Sequence, residues 1–170
     1  MEHVLEGLFC TEIFDILMGS IMNILGCDPM FTDIRPLLDQ EEVLELLSYS
    51  IYPDPDRLRQ AVNEYRTNSS LRLYGLTDDG ELLGIIGYAI RENEQIQILH
   101  LAVRPDVRYS GYGRGMILEV IGTENPARLF AETDADAADF YRNVGFTVES
   151  LGESYPEVER FRCTYIVNES

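Results

Sequence analysis

Between residues 95 and 122 the chain changes character twice: "QIQILHLAV" is an apolar run, "RPDVRYSGYGRG" brings glycines at 111, 113 and 115, and "MILEVIG" turns apolar again. The first run carries the two-residue period of a strand, and the stretch from Gly113 to Gly122 reads as a helix. Alternating glycines remove Cβ atoms from the turn between them and permit backbone angles that aim several N–H groups at one point. Where such a turn opens a helix, its unpaired amides and the positive end of the macrodipole make an anion site, and a diphosphate fits it. Charge separates a ligand site from a bare turn. From residue 104 to 114, Arg104, Arg108 and Arg114 face Asp106 alone, a local balance of +2 in a chain of net charge -17. A dinucleotide fingerprint fits less well, because Met116 stands where its last glycine belongs.

At 170 residues the chain is long enough for one domain with a substantial core. All thirteen basic residues are arginine. The absence of lysine excludes a Walker phosphate loop, a pyridoxal Schiff base and a kinase strand lysine. Cys10, Cys27 and Cys163 are an odd number without ligand spacing, which points to no disulfide framework and no metal site, and to a reducing, cytoplasmic compartment. The acidic excess argues against a nucleic-acid surface. It favours a cationic small molecule or a peptide amine as partner, beside the plainer reading of a solvated acidic face.

Residues 1–29 space their apolar side chains as one stripe of a helix, with Glu6, Glu12 and Asp15 breaking any membrane-length run. The segment reads as neither a signal peptide nor a membrane span but as a docking or homodimerisation helix, ahead of a domain at 30–170. "FTDIRPL" reads as a strand, Asp39 with Glu42 as a capping box, and Asp54 with Pro55 as the start of a second helix. Asp78-Asp79-Gly80 and "ENE" turn three antiparallel strands. A helix, the strand "ARLFAET", the helix "DADAADFYRNV" and two strands around "SYPEVE" complete the order β-α-α-β-β-β-α-β-α-β-β. Strict alternation along "QIQILHLAV" places Gln97, Leu99 and Leu101 on one face and His100 on the other, where His100 serves either in a structural hydrogen bond or as a proton acceptor.

"VRPDVRYSGYGRG" resembles the acetyl-coenzyme A signature of the GNAT N-acetyltransferases, R-x-x-G-x-G, at Arg108, Gly111 and Gly113. "DADAADFYRNVGF" resembles that family's second landmark, a helix with a Tyr shortly before Gly-Phe. The resemblance extends over residues 31–167 and implies an α/β (α+β) fold, a mixed, mostly antiparallel sheet of about seven strands flanked by helices. It further implies that the fourth strand splays from "ARLFAET", so that main-chain groups of Leu101, Ala102 and Val103 hold the pantetheine arm. Arg108 and the amides of Tyr109, Ser110, Gly111, Tyr112, Gly113 and Arg114 would hold the pyrophosphate. Tyr141 would protonate the departing thiolate. Asp134 stands where many relatives carry an Asn on the pantetheine arm, and its alternative role is to favour the helix N-terminus. The base stays open among His100, Glu132 and water-relayed proton loss, since Gln97 replaces the Glu of some relatives. "GESYPEVERFR" offers Glu153, Tyr155, Glu157 and Glu159 either as an acceptor lining or as plain surface. The implied activity is acetyl transfer from acetyl-coenzyme A, without a metal, to the primary amine of a small cationic metabolite or peptide. A non-catalytic acyl-coenzyme A sensor is the rival that Gln97 keeps open.

Overall fold

Asp79 and Gly80, at φ 48 and 82, close the turn between β2 (Leu71–Asp78) and β3 (Glu81–Arg91), and Asn93 and Glu94, at φ 56 and 53, turn β3 into β4 (Gln95–Val103). Asn, Asp and Gly tolerate this left-handed backbone best, which is why the turns fall there. The computed structural model describes residues 29–155 and 158–167, so the helix expected over 1–29 lies outside the described residues save for Pro29.

Before the hairpins come β1 (Met30–Asp33), a 3-10 turn (Arg35–Leu37), α1 (Glu41–Tyr49) and α2 (Pro55–Thr67). After them come a second 3-10 turn (Pro105–Val107), α3 (Tyr112–Glu124), β5 (Arg128–Thr133), α4 (Ala135–Asn143), β6 (Thr147–Tyr155) and β7 (Val158–Ile166). The seven strands form one sheet in the order β1-β2-β3-β4-β5-β7-β6, and only β4 and β5 run parallel. The element order is the one expected.

Local departures have local causes. The first strand stops at Asp33, whose carboxylate bonds back to the Arg35 amide at 2.9 Å, and Pro36 then enters the 3-10 turn. The capping box does not form: α1 starts behind Gln40 with no side-chain cap, and Asp39 instead pairs with Arg66 of α2. Asp54 does cap α2, accepting from the Asp56 amide at 2.9 Å, with Pro55 in the first turn. Such a cap stabilises by about 1 kcal/mol.

The core has two parts, one on each face of the sheet. Met116, Ile117 and Val120 of α3 and Ala138 and Tyr141 of α4 pack on Ile96, Ile98, Leu129 and Cys163. Val43 and Leu47 of α1 and Tyr65 of α2 cover Leu73, Ile85, Ala89 and Ala102 on the opposite face. This second cluster holds no residue of β5, β6 or β7.

Strict alternation fails in the middle of β4. Gly87 pairs with His100 and Tyr88 with Ile98, so Leu99 and His100 together oppose one residue of β3. The bulge puts Leu99 against the α1–α2 core and Leu101 against the α3–α4 core, and His100 reaches Tyr65 on the same side as Leu99. Leu101 therefore does not share a face with Leu99, and His100 does, in correction of the simple two-residue period. Gly87 makes room for it: a Cβ there would lie 1.9 Å from the Tyr65 hydroxyl oxygen.

Candidate active site

Parallel pairing of β4 with β5 starts at Gln95 opposite Arg128 and ends at Ile98 opposite Ala131. Both strands continue, β4 to Val103 and β5 to Thr133, without pairing. The sheet thus opens into a wedge, and residues 99–103 have β3 on one side and no strand on the other. A bulge sharpens local twist and bends its strand, so the irregularity at Leu99–His100 accounts for the opening beginning where it does. Leu101, Ala102 and Val103 all line this unpaired edge, although the Val103 carbonyl already accepts from Arg108 Nε at 3.1 Å.

At the open end of β4 the chain runs through the 3-10 turn to Tyr109, fully exposed at φ 65, and Gly111 at φ 87. Gly111 is the residue from which α3 departs, with no side-chain cap and no acid in the first turn. The first intrahelical bond joins the Gly115 amide to the Gly111 carbonyl at 2.9 Å, so the amides of Tyr112, Gly113 and Arg114 precede the ladder. Bare amides at the positive end of a helix are what an anion requires. The three glycines have separate roles. Gly111 supplies the positive φ; Gly113 admits Phe140, whose ring atoms would lie 3.2 Å from a Cβ; and a Cβ at Gly115 would meet nothing within 4 Å.

The arginines divide as well. Arg104 is neutralised by both Glu81 at 2.8 Å and Asp106 at 2.7 Å, so it adds no free charge to the loop. Arg108 lies 5.6 Å from the Tyr49 ring centroid of α1, and neither it nor Arg114 pairs with a carboxylate among the described residues. The local positive balance read from sequence therefore rests on these two. A cavity of about 290 Å³ lies between α1 and the β2–β3 turn, lined by Glu42, Glu45, Tyr49, Glu81 and Arg104 among others. Its acids suit no phosphate.

The Gly113–Phe140 contact brings the start of α3 against α4, one residue from Tyr141. The Tyr141 ring is buried between Phe140 and Phe146, at centroid distances of 5.3 and 5.1 Å. Burial holds its phenol well above the usual range, so the hydroxyl keeps its proton. That hydroxyl has no hydrogen-bond partner among the described residues. Asp134 caps α4, accepting from the Ala137 amide at 3.1 Å.

Gln97 and Glu132 lie on the other face of the sheet from Tyr141. Gln97 Oε1 accepts from Arg91 Nε at 3.0 Å and Nη2 at 2.7 Å. Glu132, just beyond the last residue of β5 that pairs with β4, forms an ion pair with Arg162. His100 is structural: its Nδ1 is 2.6 Å from the Tyr65 hydroxyl, and burial pushes the ring down to about 4. Since the buried Tyr65 phenol also holds its proton, the hydroxyl donates and the neutral ring accepts. The segment "GESYPEVERFR" is mostly strand, with Gly152 opposite Arg160 and Glu153 opposite Glu159, while Glu157 lies outside the described residues. Sequence reasoning missed Arg91, Arg162 and the bulge, since none follows from a spacing rule. Cys163 is a buried free thiol, and no cluster of metal-ligating side chains occurs among the described residues. No described helix is long and apolar enough to cross a membrane.

A family profile for the acetyltransferase (GNAT) domain matches residues 69–148, from just before β2 into β6. Over those residues the chain is similar to the GNAT acetyltransferase family. An N-acetyltransferase of Bacillus methanolicus known from the lysA 3' region is 27% identical over 90 residues, 48% of this chain and 75% of that protein. A GNAT-family structure from Desulfovibrio desulfuricans superposes with a TM-score of 0.68 at 21% identity, covering 81% of this chain and 98% of its own. An aminoglycoside 6'-N-acetyltransferase complexed with coenzyme A gives 0.67 at 14%, covering 83% and 98%. A variant of the Vibrio cholerae spermidine N-acetyltransferase gives 0.63 at 16%, covering 81% and 93%. At these identities the structural likenesses establish the fold.

Proposed function

We propose that this protein transfers the acetyl group of acetyl-coenzyme A to a primary amine. The observation that carries the reading is the wedge between β4 and β5 with the uncapped start of α3 at its mouth. The Tyr112, Gly113 and Arg114 amides, with Arg108 beside them, suit a pyrophosphate, and the unpaired edge at Leu101 and Ala102 suits an amide-bearing arm added as a strand would be. Bound there, acetyl-coenzyme A supplies an activated acetyl thioester.

The chain's own groups then divide the proton work. An ammonium acceptor loses one proton before its nitrogen attacks and a second as the amide forms; the sulfur gains one, and one is released to solvent. Tyr141, protonated through burial and bonded at its hydroxyl to no described residue, donates to the sulfur. Such a positioned acid contributes about 10²–10⁴-fold. Glu132, at the start of the wedge on the opposite face, accepts the amine's proton through water. Holding amine and thioester in line can supply a further ~7–11 kcal/mol.

Thiol release from acetyl-coenzyme A across a panel of primary amines, beside calorimetry with the coenzyme alone, tests the proposal. Turnover with at least one amine class is expected, and failure of the coenzyme to bind refutes it. Binding without turnover across the panel would assign the fold to an acyl-coenzyme A sensor, a reading favoured by one observation: the neutral Gln97, held by Arg91 on the acceptor face.

A further inference from the structure

Seven of the thirteen arginines form ion pairs among the described residues, which leaves Arg72, Arg91, Arg108, Arg114, Arg128 and Arg160 without a carboxylate partner there. In a chain of net charge -17, uncompensated guanidinium groups are informative. Arg72 bonds the carbonyls of Ser69 and Leu71 beside its own strand. Arg108 and Arg114 flank the loop already assigned to a pyrophosphate. The remaining three, Arg91, Arg128 and Arg160, lie on one face of the sheet, that of β3, β5 and β7 opposite α3 and α4.

No described helix covers this part of the sheet, since the α1–α2 core stops at β4. Here lies a shallow pocket of about 80 Å³ lined by Gln95, Arg128, Phe130, Arg162 and Thr164. The Phe130 ring lies beneath the Arg162 guanidinium, 5.5 Å from its centroid, and Arg162 is turned toward Glu132 by their ion pair. Arg128 donates to Gln95 Oε1, a neutral acceptor that fixes the guanidinium without discharging it. Arg91 is fixed in the same way by Gln97, and Arg160 by the Glu132 carbonyl at 3.0 Å. Guanidinium groups held by neutral partners keep their full charge and a set orientation, which suits the two parallel hydrogen bonds that a carboxylate accepts.

We propose that this pocket binds a carboxylate carried by the acetyl acceptor, so that the acceptor is an amino acid or a peptide with a free carboxylate rather than a polyamine. The word acceptor rests on the acetyl-transfer reading above; the anion site does not. Phe130 pairs with Gln97 one residue before the wedge opens at Ile98 opposite Ala131. A carboxylate held over Phe130 is therefore about two strand residues, roughly 7 Å, from the first unpaired residue of β5. An amino acid or short peptide spans that distance, with its amine at the wedge and its carboxylate on Arg128. Overall acidity points to a cationic acceptor, whereas the arginines gathered on this sheet face point to an anionic group on it.

Isothermal titration of the full chain with N-acetylalanine and with N-acetylalaninamide needs no turnover and tests the anion site by itself. The acid is expected to bind at least tenfold more tightly than the amide. In Arg128→Gln, shown folded by thermal melting, that ratio is expected to fall below threefold, and Arg128→Lys to give an intermediate value. Arg162→Gln carries the same test should Arg128→Gln not fold. Equal binding of acid and amide, or an unchanged ratio in the folded Gln variant, overturns the proposal. Thiol release with alanine, alaninamide and spermidine tests the acceptor: alanine is expected to have the lowest KM, and a preference for spermidine overturns it. Acid–amide discrimination without thiol release from any amine would remove the acetyl-transfer reading and leave the pocket standing.

Discussion

Tyr141 shares its part of the core with Phe140 and Phe146, and packing alone does not separate a catalytic phenol from an aromatic filler. The hydroxyl does, because it makes no bond to the described residues although its ring is buried. Tyr141→Phe keeps the edge-to-face contacts, each worth about 0.5–1.5 kcal/mol. It is expected to leave thermal stability and coenzyme affinity near those of the parent chain while the rate of thiol release falls by about 10² or more. Full turnover in the variant would assign Tyr141 to packing. His100 yields a prediction of a different kind. Its folded value, about 4, lies below its unfolded value of 6.5, so the unfolded chain binds a proton between these limits that the folded chain refuses. Stability is therefore present in full above about pH 6.5 and lost as pH falls toward 4, by on the order of 3 kcal/mol. Denaturant titrations from pH 7 to 5, above most carboxylate titration, are expected to show this decline in the parent chain and its loss in His100→Gln; parallel profiles would exclude His100 as the source.

At the scale of elements, two of the loop's three glycines give opposite predictions. Gly111→Ala places a Cβ at φ 87, a strain of about 1–3 kcal/mol, and reorients the amides that open α3. The melting temperature is expected to fall and the coenzyme dissociation constant to rise tenfold or more. Gly115→Ala meets no neighbouring atom and replaces a glycine inside a helix, so the unliganded chain is expected to gain about 0.5–1 kcal/mol, read by denaturant unfolding. If the two variants shifted stability alike, the assignment of conformation to one glycine and helix propensity to the other would fail. The sequence displayed the loop, the turn at Asp79–Gly80 and the cap at Asp54 because each rests on a local backbone or side-chain rule. It did not display the β4 bulge, which depends on Gly87 in the neighbouring strand and on Tyr65 from α2 filling the space above it. Nor did it display Asp39 leaving the cap position for Arg66, or Arg104 satisfied by Glu81 across the sheet. Charge balances counted along the chain miss partners that folding brings from elsewhere. The open arginine face is the clearest case, for Arg91, Arg128 and Arg160 are separated by 37 and 32 residues in sequence and share a face only through the order β3-β4-β5-β7.

For the molecule as a whole, net charge and local charge act on an anionic coenzyme over different distances. The chain of charge -17 repels a polyanion at long range, whereas Arg108, Arg114 and the α3 amides attract it only near contact. Screening removes the long-range term first: the Debye length shortens from about 30 Å at about 10 mM salt to about 8 Å at about 150 mM. The association rate constant for acetyl-coenzyme A is therefore expected to rise severalfold over that interval, opposite to the usual sign for an anion meeting an arginine-bearing site. The dissociation rate constant is expected to rise too, since contacts at the loop are also weakened, so the equilibrium constant changes less than either rate. The chain has ten tyrosines and no tryptophan, so stopped-flow tyrosine fluorescence, or a coenzyme carrying its own fluorophore, provides the measurement. An association rate that falls steadily with salt from the lowest concentration would mean that the loop's field reaches beyond that of the acidic surface, and that net charge does not govern the encounter.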